Sequence, residues 1–231
     1  MFLALVFLFP VSQLRAEEPA ERFLEALRER GYYRAALHYL DGAATSSAVA
    51  ESFREEVLFE KAQILIDSVG SIRDSDEIGS RLDQADKLLA QQAKKASDPL
   101  KATDVKKIQA NVRFFRGRNY LRQAESGKTS KAKKAEYFSQ ANKLLATAIP
   151  KYREVQKAQQ DQIDNYQLDP EDPESDNKLR KLQESYVDTR LKIPVVMEKF
   201  GLSFADDQKQ RKAKLIEAGK EFVAVAKKYD Q

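Results

Sequence analysis

The chain has 231 residues, with 40 Lys or Arg against 36 Asp or Glu, so its net charge of +4 is small beside the number of charges. That length can enclose a real core, and 42% hydrophobic with 33% charged residues is too apolar for a disordered chain and too polar for a membrane bundle. The absence of cysteine excludes disulfides, thiolate metal sites and cysteine nucleophiles, and the single histidine, His38, excludes a two-histidine metal site and most histidine-relay chemistry.

Residues 1–16 read MFLALVFLFPVSQLRA. The apolar run over 1–11 is shorter than the roughly 20 residues a membrane crossing needs. It matches the hydrophobic part of a secretory signal, and Ala16 ahead of Glu17-Glu18-Pro19 offers a small-residue cleavage point. No Lys or Arg precedes the run, as a start codon assigned too far downstream would produce. The expectation is a cleavable signal peptide over 1–16 and a periplasmic or otherwise extracytoplasmic mature chain with no transmembrane segment.

Beyond it, no segment alternates convincingly for a strand, whereas apolar residues at 3–4 spacing are widespread, so the chain reads as all-α. Pro19 at a first-turn position opens a helix to about Arg30, ended by Gly31. A second helix holds Ala35, Ala36, Tyr39 and Leu40. Ser47 is expected to cap a third, which carries Phe53, Val57, Ala62, Leu65 and Val69. A loop covers 70–76, and a fourth helix carries Leu82, Ala85, Leu88, Leu89 and Ala93. Asp98-Pro99 predicts a fifth through Val105, Ile108, Val112 and Phe115, broken at Ser126-Gly127-Lys128. A sixth is expected to stop at Ile149 before Pro150, and a seventh to cover 151–167. The run 169-DPEDPESD-176 has five acids, two prolines and no base, and reads as a loop. An eighth helix spans about 177–200 and stops at Gly201. Ser203 with Asp206 approximates a capping box for the last helix.

Self-similarity follows from the helix pairs. Around the first pair the chain reads 31-GYYRAALHYLDGAA-44, with Gly31, Tyr33, Ala36 and Leu40 in register. Gly31 permits a positive φ, Ala36 is small where two helix backbones approach, and Tyr33 and Leu40 fill the space beside it. A second copy lies at 137-YFSQANKLLATAIP-150, with Tyr137, Ala141, Leu145, Ala148 and Pro150. Weaker echoes lie at 85–93 and at 213–229, where Ala218, Phe222, Val225 and Tyr229 are expected to face inward. In these residues the sequence resembles exported bacterial tetratricopeptide-repeat (TPR) proteins over most of residues 20–229.

The resemblance implies antiparallel helix pairs stacked as a right-handed superhelix. TPR-like repeats would cover 17–149, and longer, irregular TPR-like helices 150–231, with the departure from unit length over 150–200. The final helix has broad apolar content and no capping helix after it, as in the N-terminal part of a longer array. It further implies a non-catalytic scaffold, without cofactor or metal, that binds a protein or peptide segment in the groove lined by first helices. Carried onto this chain, the groove positions are Glu18, Glu21 and Glu25, with Arg28. Acids there would repel a carboxylate and favour basic segments.

The sharpest electrostatic feature is 92–134, with 13 basic and 3 acidic residues. It would suit an anionic envelope polymer or lipid, and nucleic acid less so for an exported chain. Its carriers are Lys106, Arg113, Arg116, Lys131, Lys133 and Lys134. Projected at about 100° per residue, however, the cations of this helix spread around it rather than forming one stripe. That distribution suits a solvated surface, paired with the acidic stretches on either side. His38 falls on an outward-facing helical position. Asp74 and Asp76 begin like a calcium loop, but Ile78 and Ala85 occupy later ligand positions. The acids of 169–176 would hold calcium only loosely.

Overall fold

A computed structural model describes residues 20–94, 98–172, 174–205 and 207–229. The expected signal peptide, Glu18, Pro19 and Asp206 lie outside the described residues, as does the side chain of Tyr229. Eight α-helices follow one another: α1 Ala20–Glu29, α2 Tyr33–Ala43, α3 Glu51–Ser68, α4 Ser75–Ala93, α5 Pro99–Glu125, α6 Lys131–Asp164, α7 Ser175–Leu202 and α8 Gln208–Tyr229. A single 3-10 turn, Val69–Ser71, extends α3, and there is no strand among the described residues.

Local chemistry sets most of the ends. Gly31 has φ +70, the only positive φ among the described residues. There the Tyr32 N–H donates to the Leu27 carbonyl at 2.8 Å and the Gly31 N–H to the Arg28 carbonyl at 2.9 Å. Those two bonds form a Schellman motif, in which a side chain at the glycine would strain the backbone. The Asp98 carboxylate accepts the Leu100 N–H at 2.9 Å with Pro99 in the first turn. Asp74 accepts from both Asp76 (2.9 Å) and Glu77 (2.8 Å), so it is the cap of α4 rather than part of a cation loop.

Two expected caps are displaced. Ser47 does not cap α3; the preceding turn is closed by Ser46, whose hydroxyl accepts the Ala48 N–H at 3.2 Å, and the helix begins after Ala50. Ser203 belongs to the end of α7, donating to the Phe200 carbonyl at 2.6 Å, and the α8 cap is Asp207, which accepts the Gln210 N–H at 2.8 Å.

The larger correction is at Pro150. The expected break there does not occur, and α6 runs through it as a single 34-residue helix. Pro150 supplies no N–H for the Ala146 carbonyl, and both residues lie on the exposed side of the helix. On the opposite face Tyr152, Val155 and Gln159 are buried and carry the helix onward. The Tyr152 hydroxyl donates to Asn111 Oδ1 at 2.5 Å, tying this second half to α5. Here tertiary packing outweighs a local break signal.

The core is a chain of three clusters. Leu24, Ala36, Leu40, Phe53 and Val57 join α1 to α3. Ala62, Leu82, Leu89, Val105 and Val112 join α3 to α5, and Phe114, Ala141, Leu145, Tyr152 and Val196 join α5 to α7. Leu37 borders the first two clusters and Phe115 the last two, so the apolar interior is continuous. Of the residues that define the repeat pattern, Ala36, Leu40, Ala141, Leu145 and Ala148 are fully buried. Tyr33 and Tyr137 are half-buried, Tyr137 against the Tyr120 ring at 5.8 Å between centroids. In α8, Ala218 and Val225 face inward, but Phe222 does not: it is 40% exposed beside exposed Val223.

Each helix packs on the next, and α1, α3 and α5 also pack on the following odd-numbered helix. The even-numbered helices do not pack on one another to that extent. The odd helices therefore make one side of the molecule and the even ones the other.

Two glycines set the closest approaches: Gly117, which the sequence pattern does not single out, and Gly201, which does not stop its helix as expected but lies inside α7, buried against α8. A Cβ on Gly117 of α5 would lie 2.8 Å from Leu145 Cγ of α6, and one on Gly201 of α7 would lie 3.0 Å from Leu215 Cδ2 of α8. Gly117→Ala should cost about 1–3 kcal/mol by overpacking. Gly42→Ala, inside α2 with nothing within 4 Å, should instead be neutral or stabilise by up to about 1 kcal/mol. Urea unfolding of both variants checks the contrast, and equal midpoints would refute it.

Candidate functional site

The residues nominated from the sequence separate into structural and free groups. Glu21 and Glu25 are exposed on α1. Arg28 is not free: its Nη2 lies 2.8 Å from the Asp67 carboxylate and its Nη1 3.5 Å from Glu60, so it ties α1 to α3. Burial pushes the Glu60 carboxyl above the usual range, and the Arg28 charge only partly offsets it.

The basic stretch is treated similarly by the fold. Lys101 pairs with Glu56 of α3 at 2.8 Å, Lys107 with Asp188 of α7 at 2.9 Å, and Arg116 with Asp83 and Asp86 of α4 at 2.7 and 3.0 Å. Arg113 donates to the Gln109 carbonyl at 3.3 Å, one turn back on its own helix. Arg122 donates to the Ile72 carbonyl and to Ser75, fastening α5 to the loop before α4. Lys106, Lys131 and Lys133 are exposed and Lys134 is half-buried. Lys106 and the α6 lysines are not neighbours, because the length of α5 between them is about 30 Å at the helical rise. The stretch is thus not one patch.

Other candidates settle into ordinary roles. His38 is exposed on α2. In the acidic loop, Ser175 is buried, accepting the Asp169 N–H on its hydroxyl at 2.9 Å and the Tyr166 hydroxyl on its carbonyl at 3.0 Å. Asp172 pairs with Lys178 at 2.7 Å, a hydrogen bond that holds its carboxyl below the usual range. Among the described residues no group of three or more acids and histidines is arranged to hold a metal ion. No helix of the described residues is long and apolar enough to cross a membrane.

Two depressions border the odd-numbered helices. The first, of about 290 Å3, lies between the turn Val69–Ser71 that extends α3, the first turn of α4 and the C-terminal parts of α5 and α7. Its floor is apolar, with Ile72, Ile78, Phe115 and Leu202, and its rim holds Arg118, Arg122, Lys199 and Glu125. The Arg118 guanidinium lies over Phe114 and Phe115, 5.6 and 5.5 Å from the ring centroids.

The second is a cleft of about 70 Å3 between α3, α4 and the start of α5, lined by Glu56, Phe59, Gln92, Lys101, Asp104 and Val105. Gln92 is 6% exposed, and its Nε2 donates to the Glu55 carbonyl at 3.2 Å. That bond fixes the amide, and the buried Oε1 on its other side has no hydrogen-bond partner among the described residues. Burial pushes the Asp104 carboxyl up to about 6, against a smaller opposing effect of Lys107. Nothing in the sequence pattern distinguishes Gln92 or Asp104, because each is an ordinary polar residue on a mixed helix.

No protein-family model matches the chain, and no curated protein or solved structure matches it either.

The Asp104 environment has a consequence for stability. Between about pH 4 and 6 the folded carboxyl still holds a proton that the unfolded chain has released, so stability falls as pH rises through that window. Asp104→Asn, which removes the charge, should stabilise the protein at pH 7.5 by about 1–3 kcal/mol and change little near pH 4. Denaturant titrations at the two pH values check this, and a gain independent of pH would refute the cause.

Proposed function

We propose that this chain is an exported, non-catalytic TPR-like scaffold that binds a protein or peptide segment along the face of its odd-numbered helices. The observation that carries the reading is the packing pattern. Odd helices touch odd helices while even ones do not to that extent, a pattern that fits a stack of helix pairs curving to present a concave side. The Schellman turn at Gly31 and the fully buried Ala36, Ala141 and Ala148 are what a TPR-like pair requires between its helices. The apolar-floored depression beside Glu125 offers that face an anchoring point.

A photo-crosslinking amino acid at Glu125, on the odd-helix face, should capture a partner retained at high salt from envelope extract. The same group at exposed Lys143 of α6 should not. Equal capture at both positions would refute a groove. Export has its own check. Expression in a bacterial host should yield a product whose N-terminal sequence begins at Glu17, and an intact Met1 in the exported fraction would overturn the signal reading.

A second reading, binding of an anionic envelope polymer or lipid through 92–134, draws support from the exposed lysines of the first turn of α6. Reversing Lys131, Lys133 and Lys134 to Glu adds acid to a helix N-terminus, which favours the helix rather than harming it. Loss of retention on anionic vesicles in that variant would favour this reading, and unchanged retention would remove it.

A further inference from the structure

The cleft between α3, α4 and α5 has more acceptors than donors. Glu56, Asp104 and the Gln92 Oε1 supply acceptors, and the donor facing them is the Lys101 ammonium, 2.8 Å from Glu56. Lys107, the other cation near Asp104, has its ammonium engaged by the Ser185 carbonyl at 3.3 Å, the Ser185 hydroxyl at 3.0 Å and Asp188 at 2.9 Å. An ammonium has three N–H groups, so these partners leave none for Asp104. Among the described residues the cleft therefore carries two carboxylates against one available cation, beside a buried carbonyl oxygen without a hydrogen-bond partner. Leaving such an oxygen unpaired in the interior is costly, so the arrangement favours a donor that enters from outside.

We propose that this cleft is a subsite for a primary ammonium group, the side chain of a lysine on the bound segment. The ammonium would donate to Gln92 Oε1 and to the Asp104 carboxylate. Its methylenes would lie against Phe59 and Val105, as long cationic side chains do on apolar surface. The volume of about 70 Å3 is more than one water requires and matches an ammonium with its first methylenes better than a planar guanidinium. The inference rests on the scaffold reading and assigns that face a partner chemistry, a lysine-bearing segment.

The test uses a probe that does not depend on finding the partner. n-Butylammonium, the lysine side-chain analogue, is titrated into the purified chain while the Gln92 side-chain amide and the Val105 backbone amide are followed by NMR. Saturable shifts with a midpoint in the millimolar range are expected, as suits a ligand this small. Tetramethylammonium, which has no N–H, and sodium chloride at the same ionic strength should give none. Asp104→Asn should abolish the saturable shifts, and Glu56→Gln should weaken them by freeing Lys101 to compete for Asp104.

Lowering the pH from 7.5 to 5 should weaken binding about tenfold as Asp104 takes up its proton. The other charges acting on Asp104 are Glu56 of α3 and Asp98 and Lys107 of α5. Lys101 of α5 also borders the cleft, whereas α4 contributes only the neutral Gln92. Shifts that are the same for sodium chloride, or that survive Asp104→Asn, would overturn the proposal. So would the absence of any saturable shift, which would mean that ordered water alone satisfies Gln92. Failure here leaves the crosslinking result at Glu125 to decide the scaffold reading separately.

Discussion

A pair of antiparallel helices buries one face within itself and leaves another that only the next pair can cover. In this chain that constraint sets the architecture. The core is drawn out as three clusters that meet at Leu37 and Phe115, rather than gathered at a centre. Stability in such an arrangement is a sum of neighbour interfaces, so a defect at one interface is felt locally first. The interfaces are close where the residues are small: Gly117 admits Leu145, and Gly201 admits Leu215. Where the last helix has no following pair among the described residues, Ile216, Phe222 and Val223 remain exposed.

The same stacking explains the charge pattern. Charges on one odd-numbered helix are met by charges on the next odd-numbered one. Arg28 with Glu60 and Asp67 crosses α1 to α3, Lys101 with Glu56 crosses α3 to α5, and Lys107 with Asp188 crosses α5 to α7. Pairs this exposed contribute at most about 1 kcal/mol each to stability. Their larger effect is on what remains for a ligand. Arg28 and Arg116 look like binding cations in the sequence, yet their charges are already met within the fold.

How far the sequence reveals this molecule depends on the range of the interaction. Gly31 and the Asp98-Pro99 start are legible because a positive φ, or an orphan N–H with a proline beside it, is solved within a few residues. The buried alanines follow from periodicity. Pro150 misleads because a missing hydrogen bond is a local signal, whereas what carries α6 past it is the burial of Tyr152, Val155 and Gln159 against other helices. Phe222 misleads for the converse reason: its spacing fits an inner face, but no helix among the described residues covers it. Gly117 goes unnoticed because its meaning lies in Leu145, 28 positions on, and the cleft at Gln92 and Asp104 because three helices must meet to make it.

Recognition on a face of this kind depends on where internal pairing fails. A surface whose charges are all matched offers a partner little beyond shape, since every new ion pair must first break an old one and desolvate both groups. On the odd-helix side Arg28, Lys101, Lys107 and Arg116 are matched in this way. Two places there differ: the rim around Arg118, whose guanidinium rests on aromatic rings, and the cleft where Asp104 and Gln92 offer acceptors without donors among the described residues. These two places differ in sign, one cationic over an apolar floor and one acidic beside an aromatic wall. On the proposed scaffold reading, a segment spanning both would carry an acid and a lysine flanking an apolar residue. Specificity would then come from the spacing of opposite charges along the segment rather than from net charge, which fits a chain whose own total is close to balanced.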